Sequence, residues 1–352
     1  MNARENYIRA AQFDCPEWIP SLVHIYSSTW KKHRERMDDL VLRYPHLFDK
    51  GGEVRGTDEM PWRTEEFSPA YRAGEYYTDP WGCVWYNVSG GLKGQVVKSP
   101  LTDWNALSSY RIPDPLIWGD FGPIGDWEEI RAKSEKRRRE GRVTVGDVGY
   151  FYHRLTFLRG FKNLMMDFMT GPPQLTKLAD MMVENKLRLI DKWLEINVDV
   201  IAFVDDLGTQ TSLQMSPATF RRYLKPAYDR MMNSCREASR IIYLHSDGHI
   251  VELTDDFVDL GINIINPQFR ANGLNSLVQK CKGRICVDLD LDRQLFPFAT
   301  PKRLKNHVKE AVARLGAKEG GLMLFASCSP DVPLANIEAI CQSLDEYRFF
   351  HS

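Results

Sequence analysis

The stretch that decides the fold is residues 198–210, Val-Asp-Val-Ile-Ala-Phe-Val-Asp-Asp-Leu-Gly-Thr-Gln, in which an apolar run ends in two aspartates. Short apolar runs of this kind indicate buried strands. Six further runs occur, at 18–26, 143–149, 240–245, 262–266, 285–289 and 322–327. Longer segments with helical periodicity lie among them, at 174–196, 217–236, 301–315 and 335–347. This order predicts an α/β fold with a parallel sheet, best met by a (β/α)₈ TIM barrel, with a doubly wound sheet as the alternative.

The region at about 45–135 differs from the rest of the chain, because it is rich in Trp, Tyr, Gly and Pro and lacks the strand–helix alternation. We expect it to be a long, irregular insertion near the N-terminus that covers the mouth of the barrel. No linker composition marks a domain boundary. Residues 1–352 are therefore predicted to form a single domain.

Composition narrows the class of protein. Of the 352 residues, 43% are hydrophobic and 26% are charged, and the formal net charge of -1 disfavours a broad nucleic-acid-binding surface. The N-terminus lacks the pattern of a secretion signal, and no apolar run is long enough to span a bilayer. The seven cysteines are odd in number and show no CxxC spacing, which is typical of reduced thiols. We therefore expect a cytoplasmic protein with neither nucleic acid nor membrane as partner.

Polar residues follow the predicted strands, and in a barrel of this type the active site lies at the carboxyl ends of the strands. His245 and Asp247 are two positions apart, so they project to the same side of a strand. With Cys328 they form a possible three-ligand zinc site with one open position. A core histidine held by a carboxylate, a helix-capping aspartate and a buried thiol remain alternatives.

Two adjacent carboxylates, Asp205 and Asp206, are costly to bury unless they are paired, protonated or bound to a cation. They should face opposite ways if the strand continues, so only one of them needs to enter the site. The chain lacks a Gly-x-Ser-x-Gly elbow and a phosphate-binding Gly-x-x-x-x-Gly-Lys loop, and Ser89-Gly-Gly-Leu-Lys-Gly94 does not match the dinucleotide-binding pattern. Serine-nucleophile, phosphate and nicotinamide chemistry are therefore disfavoured.

Several segments, in order along the chain, resemble the uroporphyrinogen decarboxylase superfamily, which contains the decarboxylases and the corrinoid-dependent methyltransferases. The segments are Asp79-Pro-Trp-Gly-Cys-Val-Trp85, Asp114-Pro115, Phe157-Leu-Arg-Gly-Phe161, Phe203-Val-Asp-Asp-Leu-Gly-Thr-Gln210, Leu244-His-Ser-Asp-Gly248, Gly261-Ile-Asn-Ile-Ile-Asn-Pro267 and Val332-Pro-Leu-Ala-Asn-Ile337. The resemblance covers most of the chain and implies the (β/α)₈ fold.

The two branches of this superfamily require different residues. Decarboxylases carry Arg-Gln-Ala-Gly-Arg after the first strand, where this chain has His24-Ile-Tyr-Ser-Ser-Thr-Trp-Lys-Lys32 without an arginine pair. The methyltransferases bind zinc through His-x-Cys and a distant Cys. His245 and Cys328 match that pattern, and Asp247 departs from it by replacing the first cysteine. The resemblance is therefore closer to the methyltransferase branch.

The resemblance implies a methyltransferase that moves a methyl group from a small O- or N-methyl substrate to a corrinoid protein. Zinc on His245, Cys328 and Asp247 would act as a Lewis acid on the methyl donor. The predicted catalytic residues are Asp205, Asp206 and Asp247, and the predicted substrate-binding residues are Trp85, Tyr150, Gln210 and Gln268. The alternative is a metal-independent decarboxylase of a small carboxylic acid, with His245 as proton donor. A protein that only binds a ligand, without catalysis, is a third hypothesis.

Overall fold

The computed structural model describes residues 1–48, 72–90, 94–120 and 122–349, which form two compact units. Unit 1 comprises the described parts 1–48, 141–143 and 263–349. Unit 2 comprises 72–90, 94–120, 122–140 and 144–262. Each unit contains parallel strands joined by helices, as the alternation in the sequence predicts.

Unit 1 contains four parallel strands in the order β1-β12-β11-β10. Its elements are α1 (Ala3–Gln12), β1 (Ser21–Ile25), α2 (Ser27–His33), α3 (Glu35–Arg43), β10 (Ile264–Pro267), α11 (Phe269–Asn272), α12 (Leu274–Cys281), β11 (Cys286–Asp290), α13 (Pro301–Leu315), β12 (Leu322–Cys328) and α14 (Leu334–Glu346). β10, β11 and β12 are almost entirely buried, as is typical of parallel strands that helices cover on their faces.

Unit 2 contains three parallel strands in the order β9-β8-β7 and a small antiparallel sheet in the order β2-β3-β4. Its strands are β2 (Tyr76–Thr78), β3 (Val84–Tyr86), β4 (Gln95–Lys98), β5 (Trp118–Gly119), β6 (Gly122–Pro123), β7 (Val145–Gly149), β8 (Val200–Asp205) and β9 (Ile241–Ser246). Its helices are α4 (Trp127–Arg139), α5 (Tyr152–Arg159), α6 (Phe161–Thr170), α7 (Pro173–Ile196), α8 (Pro217–Thr219), α9 (Lys225–Glu237) and α10 (Thr254–Asp259), with a π-helical turn at Phe220–Leu224 before α9.

The longest helix, α7, shows why the sequence folds in this way locally. Pro173 opens it, where a missing N–H costs nothing, and Asn197 ends it in a left-handed conformation. Its buried face carries Leu178 and Met182 at helical spacing. Near its end, Trp193 lies against Gly146 of β7, where any Cβ would come within 2.5 Å of the indole. This glycine therefore allows α7 to pack closely on the strand.

The prediction of an α/β fold with parallel strands is confirmed, and each of the seven predicted strand regions overlaps a parallel strand. A closed eight-stranded barrel, a single domain and an insertion over the barrel mouth stay predictions. Residues 49–71, 91–93 and 121 of that insertion lie outside the described residues, and the described part contains the β2-β3-β4 sheet. Across the described parts of the chain, no helix combines the length and the apolar character needed to cross a membrane.

Candidate active site

The loops that follow β8 and β9 lie against each other at the carboxyl ends of these strands. Asp205 and Ser246 are paired at the end of the parallel ladder. Beyond it, the backbone N–H of His249 donates to the carbonyl of Thr209 at 2.7 Å. Gly248 has a φ of +85°, and a Cβ there would lie 2.2 Å from the carbonyl carbon of Gly208. Glycine at 248 is therefore required for the contact that brings the two loops together.

This contact assembles three side chains that can hold a metal ion, Asp206, His245 and Asp247, which we call the metal-binding group. Each offers one ligand atom, and the three atoms lie within 4.8 Å of one another. His245 Nε2 is 3.7 Å from Asp247 Oδ1, and all three side chains are half-buried. One imidazole nitrogen and two carboxylate oxygens suit zinc with a position left open, so the residues fit a catalytic metal.

His153, which the sequence analysis did not single out, contacts the metal-binding group. Its Nδ1 lies 2.7 Å from Asp206 Oδ2. Burial alone would raise the pKa of Asp206, but the hydrogen bond and charge of His153, with the charge of His245, outweigh burial and lower it. Asp206 therefore remains a carboxylate. The signal for His153 was its place in the first turn after the strand at 143–149, the same rule that selected the other strand-end residues.

Asp205 lies beside Asp206 in the sequence and is fully buried. Its carboxylate accepts hydrogen bonds at the start of α5, from the backbone N–H groups of Phe151 (3.2 Å), Tyr152 (3.1 Å) and His153 (2.6 Å), and from the hydroxyl of Tyr228. Burial raises the pKa of Asp205 to about 6, although these hydrogen bonds act to lower it. Asp205 thus fixes the helix that carries His153, and Asp206 contacts the imidazole of the same residue.

Gln214 fixes the loop after β8 and was also missed in the sequence. Its Nε2 donates to the backbone carbonyl of Asp206 at 2.9 Å, and its Oε1 accepts from the hydroxyl of Tyr152 at 2.9 Å. The amide therefore ties this loop to the first turn of α5. No sequence pattern marks such a residue, because its role depends on two segments that are distant along the chain.

Aromatic rings line the side of α5 next to the metal-binding group. The His153 ring is 4.2 Å from Phe157 and 5.0 Å from Tyr150, measured between centroids. Trp85 packs edge-on against Phe157 at 4.8 Å and is buried, with its Nε1 donating to Asp79. Burial, followed by the charges of nearby aspartates including Asp206, raises the pKa of Tyr150. Tyr150 is therefore a hydrogen-bond donor at neutral pH.

A buried cluster of charged side chains lies next to these aromatic residues. Arg154 Nε donates to Asp120 Oδ1 at 2.7 Å, and the ammonium of Lys186 donates to Asp120 Oδ2. Asp120 also accepts the backbone N–H of Tyr150 at 2.9 Å. Arg154 and Lys186 lower the pKa of Asp120 to about 2, despite burial, which would raise it. The cluster therefore fixes the turn between β7 and α5 that carries Tyr150.

The remaining predicted residues have different surroundings. Gln210 is exposed in the loop after β8. Gln268 is buried in unit 1, where its backbone forms an isolated parallel β-bridge with Asp290. Cys328 ends β12 in unit 1 and is fully buried, and burial, followed by the charge of Asp290, raises the pKa of its thiol well above the usual range. Their predicted roles, including that of Cys328 as a zinc ligand, stay predictions.

Comparisons with known proteins place the chain in a family. The family "Uroporphyrinogen decarboxylase (URO-D)" matches residues 93–347, which is more than half of the sequence. The chain therefore belongs to the uroporphyrinogen decarboxylase family, and the predicted resemblance is confirmed. The family takes its name from an enzyme and supports an enzymatic function. No curated protein matches the chain.

Two solved structures illustrate the structural likeness. A methyltransferase from Methanosarcina mazei has a TM-score of 0.63 and 17% sequence identity, covering 99% of each chain. At this identity the likeness shows the shared fold. A B12-independent methionine synthase from Shewanella sp. W3-18-1 has a TM-score of 0.42 and 11% identity, and covers 64% of this chain and 67% of that chain. The likeness to the second structure is too low to support an argument.

Proposed function

We propose that this protein is a metal-assisted methyltransferase that moves a methyl group from a small O- or N-methyl compound to a corrinoid carried by a partner protein. The observation that supports the proposal most is the metal-binding group of Asp206, His245 and Asp247 at the ends of β8 and β9. Membership of the URO-D family and a fold shared with a methyltransferase support it further. In this proposal the metal is zinc.

Zinc on these three residues would supply Lewis acidity at the heteroatom that carries the methyl group. The residues of the chain provide the rest of the site. His153 holds the Asp206 carboxylate, and Gln214 holds its backbone. Tyr150 offers a hydroxyl that remains protonated and can donate to a substrate heteroatom. The ring of Phe157 provides an apolar surface that suits a methyl group.

The first test of this proposal is His245→Ala, with His249→Ala as the matched control. We expect the first variant to lose most bound zinc and nearly all methyl transfer, because it removes the only nitrogen of the metal-binding group. The control should retain both, since the His249 side chain contacts Glu252 at 3.3 Å and does not belong to the group. Zinc content is measured by elemental analysis. Methyl transfer from methoxyaromatics and methylamines to cob(I)alamin is followed by absorbance.

Equal zinc content in the two variants would contradict the metal site. A wild-type protein that neither contains zinc nor takes it up would favour the second candidate function, a metal-independent decarboxylase of a small carboxylic acid. One observation supports that alternative, namely the contact between His153 Nδ1 and Asp206 Oδ2, which is suited to proton transfer without a metal. Release of CO₂ from small carboxylic acids by metal-free protein would then be the decisive measurement.

A further inference from the structure

We propose that His153 is a positioning residue that orients the Asp206 carboxylate for metal binding, an inference that rests on the metal site proposed above. The imidazole contacts one carboxylate oxygen of Asp206 at 2.7 Å. Asp206 also offers a ligand atom to the group that contains His245 and Asp247. His153 would therefore act through Asp206 and not as a ligand.

The structure holds the His153 ring in place from several directions. Its backbone N–H donates to Asp205 Oδ1 at 2.6 Å. Asp205 therefore fixes the backbone of His153, while the His153 ring contacts the neighbouring Asp206. The ring lies 4.2 Å from Phe157 and 5.0 Å from Tyr150, between centroids. A side chain confined in this way keeps Nδ1 within 2.7 Å of Asp206 Oδ2 at little further cost in conformational entropy.

The Asp206 carboxylate is correspondingly constrained. Gln214 Nε2 donates to its backbone carbonyl, and His153 lies against its carboxylate. A carboxylate has two oxygens with several lone pairs, so it can accept one hydrogen bond and still bind a metal. Hydrogen-bonding partners of this kind orient metal ligands, and their loss weakens metal binding by roughly 10- to 100-fold. We expect the same range for loss of the His153 donor.

Two substitutions at position 153 separate the donor from the ring. His153→Phe keeps an aromatic ring against Phe157 and Tyr150 but removes the N–H. His153→Asn loses the ring but places an amide N–H close to the position of Nδ1. The matched control is His249→Phe, which changes a histidine outside the metal-binding group.

The measurement is the dissociation constant for Zn²⁺, obtained by competition with a chelator, together with the absorption spectrum of the Co²⁺-loaded protein, which reports ligand geometry. We expect His153→Phe to weaken zinc binding by roughly 10- to 100-fold and to change the cobalt spectrum. His153→Asn should lie within a few-fold of the wild type. His249→Phe should match the wild type in both readouts. Thermal midpoints without metal show that each variant folds.

Four results would overturn the inference. Unchanged zinc binding by His153→Phe would mean that His153 does not position Asp206, and tighter binding would mean that His153 competes with the metal for this carboxylate. The proposed function would stand in both cases. Equal weakening in the Phe and Asn variants would exclude the hydrogen bond as the cause. If the wild type bound neither Zn²⁺ nor Co²⁺, the inference and the proposed metal site would both fail. If His153→Phe did not fold, His153→Leu would replace it as the variant without a donor.

Discussion

Two adjacent aspartates of the same strand end have separate surroundings. Asp205 is buried and accepts hydrogen bonds from the first turn of α5 and from Tyr228. Asp206 is half-buried, contacts His153 and belongs to the metal-binding group. Because both contact the same helix, Asp205 fixes the position of α5 and thereby the distance from His153 to Asp206. The buried carboxylate therefore affects the site through the backbone.

Removal of one hydroxyl tests this role of Asp205. Tyr228→Phe deletes the side-chain donor to the buried carboxylate, and we expect the free energy of unfolding to fall by about 1.5–3 kcal/mol, the range for hydrogen bonds to charged groups. The measurement is urea denaturation. Tyr223→Phe is the control, because the buried hydroxyl of Tyr223 has no hydrogen-bond partner among the described residues. A loss for Tyr223→Phe as large as that for Tyr228→Phe would contradict the assignment.

At the scale of elements, the site depends on the two loops that follow β8 and β9. The strands themselves bring Asp205 and Ser246 into register, but the metal-binding residues Asp206 and Asp247 lie one position beyond the strands. The loops must therefore stay in contact for these carboxylates to meet. Gly208 and Gly248 allow this contact, because each would place a Cβ against the backbone of the other loop.

Gly248→Ala should separate the loops. A Cβ at 248 would lie 2.2 Å from the carbonyl carbon of Gly208, and backbone cannot move aside as a flexible side chain can. We expect a loss of roughly 3 kcal/mol or more in unfolding free energy, together with weaker zinc binding. Gly283→Ala is the control, because Gly283 also has positive φ (+72°) but would place its Cβ in open space. It should cost only about 1–2 kcal/mol, with no effect on zinc.

The elements were largely predictable from the sequence, and the contacts of the site were not. The strand regions at 198–204 and 240–245 were predictable because buried parallel strands are continuous apolar runs. His245 and Asp247 were predictable as a pair because their spacing alone places them together. The place of His153 after a predicted strand was a signal, but its contact with Asp206 was not predictable, because it joins the first turn of α5 to the end of β8. The role of Gln214 was not predictable either, because it depends on Tyr152, which is distant along the chain. Nor does spacing show that Asp205 is fully buried while Asp206 is half-buried, since the positions of α5 and Tyr228 decide this.

At the scale of the whole molecule, the residues that the sequence predicted for the site are divided between the two compact units. The metal-binding group and His153 all belong to unit 2. The predicted zinc ligand Cys328 and the predicted substrate-binding residue Gln268 belong to unit 1. A measurement of which unit zinc stabilises therefore tests whether Cys328 is one of the zinc ligands.

Hydrogen exchange with and without zinc measures this directly. A ligand that binds only the folded state stabilises it by about 2.7 kcal/mol at a concentration of 100 times its dissociation constant. Because zinc would join the loops after β8 and β9, we expect slower exchange at residues 205–209 and 245–249 of the wild type. His245→Ala should show no such change, and His249→Ala should behave as the wild type does.

Hydrogen exchange in the peptide that contains the end of β12 tests whether Cys328 binds zinc. If the thiol is a ligand, it binds zinc in its deprotonated form. The Zn–S bond would then restrain the turn that follows Cys328, so zinc should also slow exchange at residues 326–332. If protection is confined to unit 2, Cys328 does not belong to the ligand set, and its high pKa and complete burial are those of a core thiol. Protection at 326–332 that persists in Cys328→Ser would show that the effect does not come from sulfur coordination.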